Sequence, residues 1–317
     1  MNVYKLLMSE DAHKKETLNA IYLAGAVLCY ASVPLFLKHF SATIDPWTVN
    51  AVRYTVGTLI WLPAVVLLRR HVPEGRSVWK DAMFPAAINI CGQVAWAMLP
   101  YPPFNNDASV TGFVVRLSFL FAILFGFCVS GKERMLAGKS VFWAGVLLSV
   151  FGLYLLYHGS IAFARATPLG IFMIVVVALF WGAYGVSVHR FMEWYPTRLA
   201  FGVISLYTAG GLILLMLVNG NPASLVHAEA GNLALLVLSG IIGISMSHVM
   251  MYRSIKWIGP VLTSGAMMTA PFVTVLGAML FLGESMSGLQ WTGGVILVAS
   301  GLMLVTAKRE TTVKKRS

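Results

Sequence analysis

The stretch "SVTGFVVRLSFLFAILFGF", residues 109–127, is mostly apolar and carries one charged residue, Arg116, near its centre. A helix of this length spans about 29 Å, close to the thickness of the hydrocarbon core of a bilayer. The stretch therefore predicts a membrane-spanning helix. A guanidinium keeps its proton at physiological pH, so this helix has to accommodate a permanent charge within the membrane.

The rest of the chain has the same apolar character. Of its 317 residues, 58% are hydrophobic and 11% are charged, whereas a soluble protein has about 25% charged residues. We predict an all-α integral membrane protein with ten spans. They lie at 19–37, 46–68, 82–99, 108–129, 140–158, 168–188, 199–218, 232–252, 259–282 and 289–307. The loops between them are short, which leaves no room for a separate soluble domain.

The basic residues predict the orientation of the chain. The net charge is +11, but the charges lie between apolar runs and form no surface typical of nucleic-acid binding. If successive spans alternate in direction, 19 of the 23 Lys and Arg residues fall on one side, which the positive-inside rule assigns to the cytoplasm. We expect both termini there, including an N-terminal segment at 1–18 and a basic tail at 308–317.

An internal repeat appears when the chain is shifted by about 151 residues. "LCYASVPLFLKHF" (28–40) then aligns with "LFWGAYGVSVHRF" (179–191), and Glu133 aligns with Glu284. The two copies, 19–158 and 168–307, each contain five predicted spans. Because five is odd, the second copy enters the membrane in the opposite direction. Inverted repeats are typical of transporters that open a central site to each side in turn.

The end of the second copy carries a recognisable pattern. "GPVLTSGAMMTAPFVTVLGAMLFLGESMSGLQWTGGVILVASGLMLV" (259–305) has small residues before Pro271, an apolar run, a Gly-Glu pair at 283–284 and a glycine-rich last helix. This pattern resembles the EamA repeat of the drug/metabolite transporter superfamily. Arg53 resembles the second-helix Arg of that family, and Tyr101 and Tyr252 match its third-helix and eighth-helix Tyr.

The resemblance covers essentially the whole chain. It implies ten helices and a central cavity lined by helices 1, 3, 4, 6, 8 and 9. It also implies transport of amino acids, nucleotide sugars, other metabolites or drugs, often outward. The first repeat departs from the pattern, because its fourth helix lacks the proline and has Arg116 where the second repeat has Met267. This departure suggests a subgroup with its own substrate.

Arg116 is the first candidate for substrate binding. All Asp and Glu residues lie outside the predicted spans or at their ends, so no carboxylate is expected at its depth. A carboxylate or phosphate of a substrate suits the planar guanidinium. The alternative is that Arg116 donates to backbone carbonyls freed at a helix break or to the amides of span 3. For Arg53, in the outer half of its span, we favour a structural role.

Further candidates share helix faces. Asn89, Gln93 and Trp96 recur at helical spacing, either as a cavity wall or as interhelical contacts. His248 and Tyr252 share a face of span 8, and His248 is either a proton-coupling group or a structural donor. By position in the family, Tyr30 and Tyr184 are pocket aromatics. The predicted substrate-binding residues are Arg116, Asn89, Gln93, Trp96, Tyr30, Tyr184, His248, Tyr252 and Tyr101. The predicted structural or gating residues are Arg53, Pro34, Pro271, Glu133 and Glu284.

The prediction for function is a secondary transporter, an exporter or a facilitator. Its substrate is a small metabolite with an anionic group, such as an amino acid. We expect a monomer or homodimer in the bacterial inner membrane, with no catalytic residue, metal or cofactor. One alternative is a transporter of a neutral or cationic metabolite or drug, with Arg116 structural. Another is an intramembrane lipid-modifying enzyme, although the sequence has no metal-binding or nucleophile motif.

Overall fold

The structure is a computed structural model that describes residues 3–104, 115–158, 167–282 and 286–313. In this part of the chain the regular structure is entirely helical. The helices are α1 Val3–Phe40, α2 Pro46–Leu68, α3 Val78–Met98, α4 Ser118–Val129, α5 Ser140–Tyr157, α6 Pro168–Met192, α7 Thr197–Asn219, α8a Ala230–Gly240, α8b Ser247–Ile258, α9a Pro260–Ala266, α9b Ala270–Leu282 and α10 Gly288–Val313. A one-turn helix, Gly131–Arg134, lies between α4 and α5.

The number of spans is only partly settled. Among the described residues, eight helices are long and apolar enough to cross a membrane. A ninth is counted if Val115–Val129 and Gly131–Gly138, which are bent by 115°, form one span. The eight exclude α3, which carries the polar residues Asn89 and Gln93, and part of the fourth predicted span lies outside the described residues. The all-helical membrane protein is confirmed, and the count of ten stays a prediction.

Two helices begin with the same local device. Asp45 precedes Pro46, and its side chain accepts the backbone N–H of Thr48 at 2.9 Å. Thr167 precedes Pro168 and accepts the N–H of Gly170 at 3.0 Å. A proline suits the first helical position because its missing N–H would have no partner there, and the preceding side chain satisfies another free donor. These short motifs define where α2 and α6 start.

Several short turns in the described chain depart from α-helical geometry next to an α-helix. A π-helical turn, Ile241–Met246, separates α8a from α8b. A 3-10 turn, Met267–Thr269, separates α9a from α9b, and Pro271 follows it at the start of α9b, where the ring displaces no hydrogen bond. A 3-10 turn, Val115–Leu117, precedes α4. Pro34 lies inside α1, which remains helical on both sides of it.

The helices pack in a pattern with an internal correspondence. The most extensive contacts join α5 to α10, α2 to α7, α6 to α3 and α4, α1 to α8b and α9b, α3 to α7, and α2 to α8a and the turn that follows it. If each helix is replaced by the helix five places before or after it in the chain, the same set of contacting pairs results; for example, α6 with α3 becomes α1 with α8. Large apolar side chains such as Leu147, Phe172 and Leu302 remain exposed on the outer surface, as a lipid-facing surface requires.

The contact between α5 and α10 depends on glycine. A Cβ atom at Gly293 would lie 2.5 Å from the backbone nitrogen of Leu156 and 2.6 Å from the carbonyl oxygen of Gly152. Ser149 donates to Ser300 at 3.0 Å in the same interface. Close backbone approach through small residues is the usual basis of tight helix packing in membranes.

Gly293→Ala should therefore lower stability by about 1–3 kcal/mol, because the obstructing atoms are backbone atoms that cannot rotate away. The measurement is thermal unfolding of purified protein in detergent. Gly288→Ala is the matched control, since a Cβ there meets nothing within 4 Å. Equal melting temperatures for the two variants would contradict the proposed close contact.

Glu133 lies in the one-turn helix between α4 and α5 and connects it to α9a. Its side chain is 5% exposed, and it accepts the backbone N–H of Val261 in the first turn of α9a. The carboxyl group lies against Gly259, whose φ of 84° is one that L side chains rarely adopt. Burial raises the pKa of Glu133 to about 7. Its repeat counterpart, Glu284, lies outside the described residues.

The raised pKa of Glu133 predicts a pH-dependent stability. The folded state binds the proton more tightly than the unfolded chain, so the stabilisation is complete below the ordinary pKa of 4.5 and is lost as pH rises through about 7. The size is on the order of 3 kcal/mol. Thermal unfolding at pH 5 and pH 8 should show a larger fall for wild type than for Glu133→Gln.

The control for this measurement is Glu229→Gln, at an exposed position, which should behave as wild type. Parallel pH curves for wild type and Glu133→Gln would show that Glu133 does not titrate in this range.

Candidate functional site

A cavity of ≈ 100 Å³ lies between the helices. All six helices expected to line it contribute residues, and α2 adds Arg53. The α1 to α4 part of the wall consists of Tyr30, Val33, Arg53, Gln93, Trp96, Val115, Arg116 and Ser118. The α6 to α9 part consists of Trp181, Tyr184, Gly185, Gly243, Ile244, His248, Met251, Ile255, Thr263, Ser264 and Met267. The cavity is small beside typical drug-sized pockets of about 300–1,000 Å³, which favours a small ligand.

Arg116 borders this cavity from the 3-10 turn that precedes α4. Its Nε is buried and has no hydrogen-bond acceptor among the described residues. The phenols of Tyr157 and Tyr30 are close enough to interact with it electrostatically, and no carboxylate in the described part of the chain does so. Among the described residues, neither a helix-break carbonyl nor an amide of α3 accepts a hydrogen bond from its Nε.

Arg53 borders the same cavity from α2. Its side chain is 0% exposed, and Nε, Nη1 and Nη2 all lack a hydrogen-bond partner among the described residues. The guanidinium lies against the π-helical turn, where a Cβ on Gly243 would be 2.9 Å from Nη2. Arg53 is thus enclosed at the cavity wall. Its guanidinium does not reach solvent, as that of a snorkelling arginine would.

Aromatic rings form much of the remaining wall. Tyr30, Trp96, Trp181 and Tyr184 all border the cavity. The rings of Trp181 and Tyr184 have centroids 5.8 Å apart and cross at 71°, an edge-to-face geometry that packs favourably. The hydroxyl of Tyr184 shares a short hydrogen bond with that of Tyr252. Such walls exclude water and strengthen the electrostatic interactions of the two arginines.

Tyr54 is the centre of a hydrogen-bond network behind the wall. Its hydroxyl oxygen accepts Nε2 of Gln93 at 2.7 Å and Nδ2 of Asn89 at 3.0 Å. Nδ2 of Asn89 also donates to Thr208 at 3.0 Å. The two amides of α3 are therefore held by α2 and α7, and only Gln93 borders the cavity. This network positions α3 against its neighbours.

His248 is enclosed by rings. Its side chain is 0% exposed and stacks on Phe201, with centroids 5.1 Å apart. Nδ1 lies 2.9 Å from the carbonyl oxygen of Ile244. Because a carbonyl only accepts, Nδ1 carries the proton. Nε2 lies 3.4 Å from the Tyr54 hydroxyl, whose single proton also has Oδ1 of Asn89 as an acceptor at 3.2 Å. Proton coupling through His248 stays a prediction.

The predicted site residues divide into two groups. Six border the cavity: Arg116, Gln93, Trp96, Tyr30, Tyr184 and His248. Three do not. Asn89 belongs to the network around Tyr54, Tyr252 bonds to Tyr184, and Tyr101 donates to the carbonyl oxygen of Ile44 at 2.6 Å. Their roles in binding remain untested predictions.

Some cavity residues were not singled out from the sequence. Trp181 precedes Tyr184 by three residues on α6, so helical spacing from the predicted Tyr184 indicates it. Thr263 and Ser264 border the cavity from α9a, and in sequence they resemble ordinary small helix-packing residues. Tyr54 follows Arg53 directly, and only the packing of α2 against α3 and α8b brings it into the network.

Met267, the repeat counterpart of Arg116, also borders the cavity. Both residues lie in 3-10 turns that interrupt or precede a helix. The same local geometry therefore presents a cationic side chain from the first half of the chain and an apolar one from the second. The cavity is chemically asymmetric at these two positions.

Of the His, Cys, Asp and Glu side chains that commonly bind metal ions, the described lining of the cavity contains only His248. Across residues 3–104, 115–158, 167–282 and 286–313, no group of three or more His, Cys, Asp or Glu side chains is placed to hold a metal ion. The polar atoms at the cavity come instead from two guanidinium groups, phenols, an amide, an imidazole and small hydroxyls. These groups bind and orient a ligand by hydrogen bonds and charge.

Apolar helices around a central cavity that two arginines border are typical of a multi-pass membrane transporter. The EamA-like transporter family matches residues 17–158 and again 168–307. The chain therefore belongs to the EamA-like transporter family.

Two relatives carry matching descriptions. The uncharacterized transporter YcbK of Bacillus subtilis (strain 168) is 25% identical over 313 residues, covering 92% of this chain and 95% of the relative. The uncharacterized inner membrane transporter YedA of Escherichia coli (strain K12) is 24% identical over 271 residues, covering 83% and 84%. A crystal structure of another protein, 17% identical, superposes with a TM-score of 0.74 over 93% of this chain and 99% of that one, which shows a shared fold.

Tyr54→Phe should destabilise the protein by about 1–3 kcal/mol, because it leaves the Gln93 amide buried without its acceptor. The measurement is thermal unfolding in detergent, with Tyr154→Phe at an exposed position of α5 as the control. If both variants melted together, the network would contribute little to stability.

Proposed function

We propose that this protein is a secondary transporter, an exporter or facilitator, of a small metabolite with an anionic group, such as an amino acid. The substrate binds in the cavity, with its anionic group on Arg116. The observation that carries the proposal is that Arg116 borders the cavity while its buried Nε has no acceptor among the described residues. Buried charges are expected to be paired, and a bidentate carboxylate or phosphate matches the guanidinium.

Alternating access is the mechanism that the helix arrangement supports. We place ten spans in two inverted repeats, 19–158 and 168–307, in the bacterial inner membrane with both termini in the cytoplasm. The double match to the family supports two repeats, as does a packing pattern that survives exchange of helices five places apart. The interruptions in α8 and α9 lie beside the cavity, as is common for helices that form transporter sites.

A sequence of events follows from this geometry. An anion that enters from one side reaches Arg116 and replaces water as the hydrogen-bond partner of the guanidinium. The interaction replaces an uncompensated charge with a paired one, which lowers the cost of closing the apolar wall around the ligand. Rocking of one repeat against the other then opens the cavity to the opposite side, where hydration of both charges favours release.

Arg116→Gln should weaken binding of anionic substrates by about 10- to 100-fold, the range expected for a lost charge-assisted hydrogen bond. A thermal-shift screen of amino acids, organic acids and nucleotides on wild type identifies ligands, and uptake into proteoliposomes measures transport. Arg116→Lys keeps the charge but loses the fork, and should be intermediate. Arg70→Gln, at an exposed position, is the control.

Equal stabilisation of wild type and Arg116→Gln by anions would show that Arg116 does not bind substrate. Transport of neutral or cationic compounds by both proteins would then favour a structural Arg116. Proteoliposomes that moved no compound of the panel would count against transport itself.

A further inference from the structure

Arg53 shares with Arg116 the two properties that make Arg116 a candidate for substrate binding: it borders the cavity, and a buried guanidinium nitrogen lacks an acceptor among the described residues. It lies on a different helix, it is fully buried, and all three of its nitrogens lack an acceptor among the described residues. Two guanidinium groups thus border one cavity of ≈ 100 Å³. No Asp or Glu belongs to the described lining, so neither positive charge is offset by the wall.

We propose that the cavity binds a metabolite with two negative charges, one on Arg116 and the other on Arg53. This inference rests on the proposed transport function and narrows its substrate to a dicarboxylate or a phosphomonoester. Both guanidinium groups then acquire the planar, bidentate partners that arginine binds best.

Among the substrates that the proposed function admits, this wall disfavours amino acids that have one carboxylate and one ammonium group. Its α-ammonium would enter a cavity that already borders two cations and offers no carboxylate among the described residues. Cation–π contacts with Trp96 and Trp181, which border the cavity, stabilise an ammonium by less than it loses when its water is removed. A ligand with two anionic ends and no cation avoids this cost.

Arg53 is enclosed, so its contact with a ligand requires a local movement. The adjacent π-helical turn supplies the element that can move. Gly243 in that turn leaves space for Nη2 of Arg53, and turns of this kind are common at functional sites. A small rotation of the arginine side chain past Gly243 brings the guanidinium to the ligand. Substrate binding and the geometry of α8 are thereby connected.

The test compares ligands that differ in one charge. Binding of succinate, monomethyl succinate, glycerol 3-phosphate and alanine to the full-length protein in detergent is measured by calorimetry. Wild type should bind succinate or glycerol 3-phosphate at least about 10-fold more tightly than monomethyl succinate, the value of one charge-assisted contact. The two divalent probes distinguish a dicarboxylate from a phosphomonoester.

Arg53→Gln should reduce this preference to less than about twofold, with a larger loss of affinity for succinate than for monomethyl succinate, because the second charge loses its partner. Arg53→Lys should retain part of the preference. If Arg53→Gln does not fold, Gly243→Ala provides the same test without a change of charge, since its new methyl group lies 2.9 Å from Nη2 and obstructs the guanidinium.

The outcomes separate this inference from the proposed function. Wild type binding monovalent and divalent anions equally, or Arg53→Gln weakening both equally, would overturn the second anionic site while leaving Arg116-dependent anion transport intact. Failure of every anion to bind wild type would overturn both proposals.

Discussion

The placement of two guanidinium groups between apolar helices, Arg53 fully buried and Arg116 partly buried, is the constraint on which the rest of this structure depends. Arginine cannot relieve burial by losing its proton, and the described residues offer neither Arg53 nor the Nε of Arg116 an acceptor. A charge in this position is tolerated when it faces a cavity and has a partner for part of its working cycle. The cavity between the helices, its aromatic wall and its small volume are the features that make such a position possible.

The interruptions of the helices follow from the same requirement. Val115–Leu117, Ile241–Met246 and Met267–Thr269 depart from α-helical geometry, and each contributes residues to the cavity. In lipid, irregular backbone is tolerated only where it is buried in protein or lines a cavity. The interruptions therefore lie where the two halves of the chain face each other.

Much of the fold was readable from the sequence because bilayer thickness sets helix length and the cost of exposing backbone in lipid leaves few alternatives. The apolar runs located helices at each predicted span that the structure describes. The site was only partly readable. Helical spacing grouped Gln93 with Asn89, but the side chain of Asn89 donates hydrogen bonds to Tyr54 and Thr208 and does not border the cavity. Spacing defines a face of a helix, and the neighbours of that face come from the packing of other helices.

The sequence by itself determined an all-helical membrane protein, its family and the presence of Arg116 within an apolar segment, because composition, span length and local motifs act along the chain. Only the tertiary structure decided that Arg53, 63 residues away in sequence, borders the same cavity as Arg116, and that His248 is enclosed by rings. These arrangements depend on which helix faces pack together. That choice is made by the burial of many side chains at once, and no single segment of the sequence carries it.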